Sequence, residues 1–312
     1  MVLPFKTKKA QSQKTAGIFI TSEAISLAII DHSHSVPRLE HAQSYSCESE
    51  QYHPVLSILA KTHHLDMLNC CFVLKPTESD FFQIEKPNVE QDELLYALRW
   101  SIKDLIDYDI EDVVLDYLQL PNKDTLEVVT ARQQTIEKRI ELMQSCECHI
   151  RSIDISSQAS RNLIATMKKV DNDTIIGLLN LWENHADISV FQKGDLYINR
   201  STTIGTDSLS YITSDEDDNH AILDNLAIEL QRTFDYFEST YLQAGISNIV
   251  IISSQRQIPM LDHLIEERLG ITCTLLTSQT FDLLDIDITL LDRQNITDDC
   301  LIAIGGALRK EH

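Results

Sequence analysis

Glycine is scarce: 8 in 312 residues, under half the usual share of about 7%. Glycine lets a backbone approach phosphate closely and adopt φ > 0, and cradles of the P-loop and dinucleotide types are glycine-rich loops. Neither G-x-x-x-x-G-K-[ST] nor G-x-G-x-x-G occurs, which argues against enzymes of those two families. Positive charge is short as well: 26 Lys and Arg stand against 48 Asp and Glu, a net charge of −22. Such a field repels phosphate backbones and anionic lipid, so no nucleic-acid partner is expected. No apolar run reaches the ~18 residues of a membrane span, and the start, MVLPFKTKKAQSQK, lacks the apolar core of a signal peptide. The expectation is a cytoplasmic chain without a transmembrane segment, whose seven cysteines are buried thiols rather than disulfides.

What is present suits a folded chain of two domains: 43% hydrophobic residues and 24% charged. Residues 1–14 read as a flexible basic tail with Lys6, Lys8, Lys9 and Lys14 and no acid. Gly17 to Ile30 reads as strand, turn, strand from its alternating isoleucines and leucine. A strand near Leu39–Cys47 follows, then a helix opened by Pro54 whose apolar positions are Val55, Ile58, Leu59 and Leu65, then a buried strand at Cys70–Leu74. After Pro87, Leu94, Leu95, Leu98, Ile102 and Leu105 share one face of a helix starting near Val89. Strands at Asp112–Leu120 and Thr125–Ala131 and a helix from Arg132 to Ser145 complete a small α+β module. From Thr174 the opening pattern recurs, with strands at Ile175–Leu181 and beyond and a hairpin signal at Lys193-Gly194-Asp195. A long helix over Ala221–Leu242, a buried strand at Ile246–Ser253 and a last helix containing Gly305 and Gly306 close the chain.

Two halves that each open with a strand–turn–strand unit are the pattern of an actin-like α/β fold. The residues sharpen this. LLYALRWSIKDLIDYDIEDVVLDYLQLP (Leu94–Pro121), with Arg99-Trp100 and Val114-Leu115-Asp116-Tyr117, resembles a helix–strand segment of the PilM family of type IV pilus biogenesis. LAIELQRTFDYFES (Leu226–Ser239) resembles that family's long helix, and IAIGGALR (Ile302–Arg309) its C-terminal helix. The resemblance runs from about Gly17 to Arg309 and is closest to the MSHA pilus branch, MshI. It implies an actin-like, FtsA-like two-domain fold with a small inserted subdomain. The first domain would comprise 15–86 and 149–170, the insertion 87–148, and the second domain 171–312.

The resemblance further implies a cytoplasmic scaffold, peripheral at the inner membrane. It would bind the N-terminal cytoplasmic peptide of a bitopic, PilN-like membrane protein and link it to the pilus motor ATPase. The peptide groove would lie between the insertion and the first domain, with Arg99, Trp100, Asp116 and Tyr117 as candidate lining residues. Trp100 is more simply a packing residue by its size.

Family members that bind ATP use three loops. The first, Gly-Ile-Asp-Ile-Gly-Ser, is here Gly17-Ile18-Phe19-Ile20-Thr21-Ser22. Phe19 stands in place of the aspartate and cannot hold a magnesium-bound water; Thr21 replaces a glycine. The second, Asp-Ile-Gly, is Asn180-Leu181-Trp182, and the glycines of the third are replaced by Ser253-Ser254-Gln255-Arg256. The substitutions point to a nucleotide frame without ATPase chemistry, no catalytic residue and no cofactor. The alternatives are an active actin-like ATPase using ATP and magnesium to regulate pilus assembly, and a sugar or acetate kinase of the same fold class. Cys146-Glu147-Cys148-His149 lacks a second ligand pair for zinc. It reads as a helix-to-strand junction with the two cysteines on one strand face. The acids Asp215, Glu216, Asp217 and Asp218 read as a solvated loop.

Overall fold

The computed structural model describes residues 13–121, 124–168, 174–209, 217–241 (backbone only over 217–220), 244–253, 258–289, 291 and 296–309. These fall into two compact units. One holds the described residues of Met1–Ala159, Asp287–Asn295 and Ile302–His312, the other those of Ser160–Ile286 and Ile296–Leu301.

The first unit opens with β1 (Lys14–Ile20) and β2 (Ala24–Asp31). Both are almost wholly buried, as runs of isoleucine and alanine allow when a sheet is covered on both faces. β3 (Arg38–Ser46), α1 (Tyr52–His63) and β4 (Asn69–Leu74) follow. After the insertion come β8 (Ile150–Ile155) and the first residues of α4 (Ser156–Ile164), which belongs to the second unit from Ser160 onward although 149–170 was expected in the first domain. The sheet order is β3-β2-β1-β4-β8, with β1–β3 antiparallel and β4 and β8 parallel to β1. On α1 Leu56, Leu59 and Ala60 are buried, while Ile58 is 64% exposed. Lys14, expected in the tail, is instead the first residue of β1 and pairs with Glu40 at 2.7 Å.

The insertion comprises β5 (Asp80–Glu85), α2 (Leu94–Ser101), β6 (Val113–Gln119), β7 (Thr125–Arg132) and α3 (Gln133–Ser145). Its sheet, in the order β5-β7-β6, is antiparallel. The strand β5 precedes Pro87 and was not foreseen; its half-buried Phe81 and Phe82 leave no clean alternation. Leu94 and Leu98 of α2, and Ile102 just after it, pack with Leu126 and Val128 on one sheet face. Val114 and Val129 on the other face join the core of the unit's main sheet along with Ile136 and Met143 of α3.

The second unit repeats the plan. β9 (Ile175–Leu181), β10 (Ala186–Gln192) and β11 (Asp195–Thr202) precede α5 (Thr206–Leu209) and α6 (Asp217–Tyr241). β12 (Asn248–Ser253), α7 (Leu261–Leu269) and β13 (Cys273–Leu276) follow. The order β11-β10-β9-β12-β13 has the same directions as the first sheet. Asp217 and Asp218 begin α6 rather than a loop, while Asp215 and Glu216 lie outside the described residues.

The last helix, α8 (Leu301–Ala307), departs from the expected boundaries. From Ile302 onward it belongs to the first unit, although 171–312 was expected as one domain. Gly17 of β1 lies so close to it that a Cβ there would stand 1.9 Å from the Ala303 carbonyl oxygen. Gly305 would meet the Ala159 carbonyl at 2.1 Å. His32 Nε2 reaches the Ala307 oxygen at 2.9 Å, and Arg309 closes the end on Asp154 of β8 at 2.7 Å.

His41 of β3 tilts against His63 at the end of α1, ring centroids 4.1 Å apart, with its Nε2 3.0 Å from the Tyr45 hydroxyl. Burial and the neighbouring His63 push the His41 pKa down to about 4. Burial, with His64 beside it, lowers His63 as well. A histidine kept neutral in the fold takes its proton more readily when unfolded, so stability is full above the ordinary imidazole value and drains as pH falls towards 4. Urea melts should lose about 1–2 kcal/mol between pH 7 and pH 4.5 through His41, whose ring solvent still reaches. His41→Phe should flatten that part of the pH profile.

Candidate functional site

The turn between β1 and β2 is closed by Thr21. Its amide donates to the Ala24 carbonyl at 2.9 Å, and its Oγ1 accepts from the amides of Glu23 at 3.3 Å and Ala24 at 3.1 Å. The Tyr52 hydroxyl donates to the Thr21 carbonyl. A phosphate cradle needs backbone N–H groups turned outward; here three of them are engaged by the turn itself. Ser22 is exposed at its tip. Phe19 points into the core at 1% exposure, and Gly17 serves the approach of α8.

The corresponding turn after β9 is filled in another way. Asn180 is buried, its amide group paired with the Ser160 hydroxyl, which donates to Oδ1 at 3.1 Å and accepts from Nδ2 at 2.9 Å. Trp182 is also buried, and its indole Nε1 donates to Asp187 at 3.1 Å. The second oxygen of Asp187 accepts from the Ser201 hydroxyl at 2.6 Å. The Trp182 amide bonds the His185 carbonyl at 3.0 Å. The first amides of α5 reach back to this turn, Thr206 to Trp182 at 2.7 Å and Asp207 to Glu183 at 2.9 Å. Ser254 and Gln255 lie outside the described residues.

The four candidate groove residues do not line one surface. Arg99 donates through Nη1 to the Ile110 carbonyl at 2.8 Å, holding α2 to the turn before β6. Trp100 is 49% exposed on the outer side of α2, so the packing role expected from its size is corrected. Tyr117 lies on the α2 side of β6 and accepts from Gln91 at 2.7 Å. Asp116, one residue earlier, is exposed on the opposite face, the side of Val114 and the main sheet. Asp116 finds a partner that sequence did not assign it. Burial works against the Arg309 cation, yet Asp154, the Cys71 side and then Asp116 outweigh it and raise its pKa. The place of Arg309 at the end of the IAIGGALR segment was the only sequence signal for it.

Among the described residues no three His, Cys, Asp or Glu side chains gather as a metal site, and no helix is long and apolar enough to cross a membrane. Cys146 caps α3 and Glu147 takes φ 61, so Cys146 and Cys148 flank a tight turn rather than sharing a strand face.

No curated protein matches the chain by sequence. The family model described as type IV pilus assembly protein PilM matches residues 83–216, from within β5 through the insertion and into the second unit. Among solved structures, the PilM–PilN type IV pilus biogenesis complex contains a chain similar to this one with TM-score 0.74 and 16% identity, over 96% of this chain and 98% of that one. A Bacteroides thetaiotaomicron protein with an actin-like ATPase fold and unknown function matches at TM-score 0.50 and 9% identity, over 85% and 91%. The fold is thus the actin-like one, two sheets of repeated plan carrying an insertion, and the PilM model matches that insertion from Gln83 of β5 onward.

Proposed function

We propose that the chain is a PilM-like scaffold of a type IV pilus assembly system, of the MSHA kind, that works by binding rather than by chemistry. It receives the N-terminal cytoplasmic segment of a PilN-like inner-membrane protein and is held at the membrane's cytoplasmic side by that partner. The pilus motor ATPase is its second partner. The observation that carries the reading is the whole-length likeness to a protein solved in complex with PilN.

The docking place is the side of the insertion that faces the main sheet of the first unit. There Asp116 of β6 stands near Arg309, which is paired with Asp154. β6 is an edge strand, paired only with β7 among the described strands. An extended peptide can add its main chain to such an edge while its side chains find pockets. The excess of acids over bases favours a peptide with Lys or Arg next to its membrane span. The engaged turn amides at Thr21 and Trp182 support the absence of ATP turnover.

Titration calorimetry with a synthetic peptide copying the N-terminus of the PilN-like protein from the same genome tests this. Saturable binding is expected, weakened about tenfold by Asp116→Arg, since reversing a charge beside a cationic peptide removes its attraction and adds repulsion. No peptide binding, or a saturable melting shift at micromolar ATP with magnesium, overturns the reading.

A further inference from the structure

Ten large apolar side chains stand exposed among the described residues, and five of them, Val89, Leu95, Tyr96, Trp100 and Leu105, crowd into and around α2. α2 already has a complete inner face in Leu94 and Leu98. Helical spacing puts Leu95, Tyr96 and Trp100 together on the outer arc. Tyr96 and Trp100 meet edge to face with centroids 6.1 Å apart, and the Lys103 ammonium lies 5.1 Å from the Trp100 ring. Two rigid aromatic rings with an adjoining leucine, open to solvent, have the composition of an interface anchor.

The rim of this face tells what covers it. Glu90, Asp92 and Glu93 precede α2 and Asp104 follows it, all exposed. The two bases of the stretch are occupied, Arg99 with the Ile110 carbonyl and Lys103 over Trp100. An anionic membrane surface would be repelled by that rim. A second copy of this chain, docked face to face about a two-fold axis, would set acid against acid. A cationic segment would meet complementary charge at both ends of the helix.

We infer that the outer face of α2 is a second docking surface, for a partner segment whose apolar side chains are flanked by lysine or arginine. It lies on the far side of the module sheet from Asp116, so it is independent of the peptide site proposed above. An eight-residue helix is about 12 Å long. The contact is correspondingly small, a transient one or an addition to a larger interface.

The tryptophans give a direct readout. Of the two in the chain, Trp182 is buried and Trp100 half exposed, so docking on α2 moves the emission of Trp100. The full chain is titrated with a synthetic amphipathic leucine–lysine peptide and with its leucine–glutamate counterpart. A saturable blue shift and protection from acrylamide are expected with the first peptide only, weakened by salt. With a dye-labelled leucine–lysine peptide, affinity should fall tenfold or more in Tyr96→Ser/Trp100→Ser, two exposed positions. The inference is overturned if neither peptide binds, if the acidic peptide binds equally, or if affinity persists in the double variant. It is equally overturned if the blue shift comes from raising the protein concentration alone, which marks a second copy, or from phosphatidylglycerol vesicles, which mark a membrane.

Discussion

Gly17→Ala is expected to cost about 3–5 kcal/mol of stability, as overpacking against an immovable neighbour does at the severe end of the single-substitution range. The added methyl would stand 1.9 Å from the Ala303 carbonyl oxygen and 2.5 Å from the Ala307 amide nitrogen. Both are backbone atoms, so no rotamer change relieves the clash, and α8 must move as a body. Ile304, Ala307 and Leu308 would lose burial, and the Ala307–His32 and Arg309–Asp154 contacts would open. For a unit of this size that is a fall in melting temperature of the order of 10 °C. Gly270→Ala is the control: it sits at φ 66 as the cap of α7 with nothing within 4 Å. It should cost about 1 kcal/mol, through backbone conformation alone. If Gly17 served only as a turn under a phosphate, its alanine variant would melt with the wild type, and the packing account would fail.

The same glycine marks the limit of what could be read from sequence. The strands β1, β2, β9, β10 and β12 were legible because their apolar runs are long enough to be buried on both faces, and their recurrence gave the duplicated plan. The place of α8 was not. Ile302, Ala303, Ile304, Ala307 and Leu308 announce a helix buried all round, but nothing local says against which sheet. That choice rests on the small residues at Gly17, Gly305 and Gly306, whose partners are distant in sequence. Trp100 misled in the opposite direction, because a large aromatic usually packs inward and only the completed inner face of α2 shows that this one does not.

The altered phosphate loops were legible position by position through the family resemblance. What the substituted residues do instead was not. The Thr21 hydroxyl closing its own turn, Asn180 paired with Ser160, and Trp182 fastened to Asp187 depend on neighbours that no motif names. These side chains knit into local hydrogen-bond sets that stabilise each turn from within.

These sets make reversal costly, and the second large effect follows. Phe19→Asp restores the carboxylate that the resemblance associates with a nucleotide-binding loop, yet places it in a position 1% exposed, flanked across the sheet by Ser26 and Val73. A carboxylate there lacks water, and removing the ring leaves a void, so a loss of about 4 kcal/mol or more is expected. Burial raises such a carboxyl above its unfolded value, so the folded state binds more protons than the unfolded one. Its stability deficit therefore grows as pH rises through the range above about 4 and is smallest in acid. Chemical denaturation of Phe19→Asp and wild type at pH 5 and pH 7.5 should give the larger difference at pH 7.5. Magnesium and ATP should not rescue the variant, because the Thr21 and Trp182 turns remain closed. A variant that melted like the wild type and gained stability with micromolar ATP would mean that the nucleotide frame is intact behind one substitution, and the scaffold-only reading would fall.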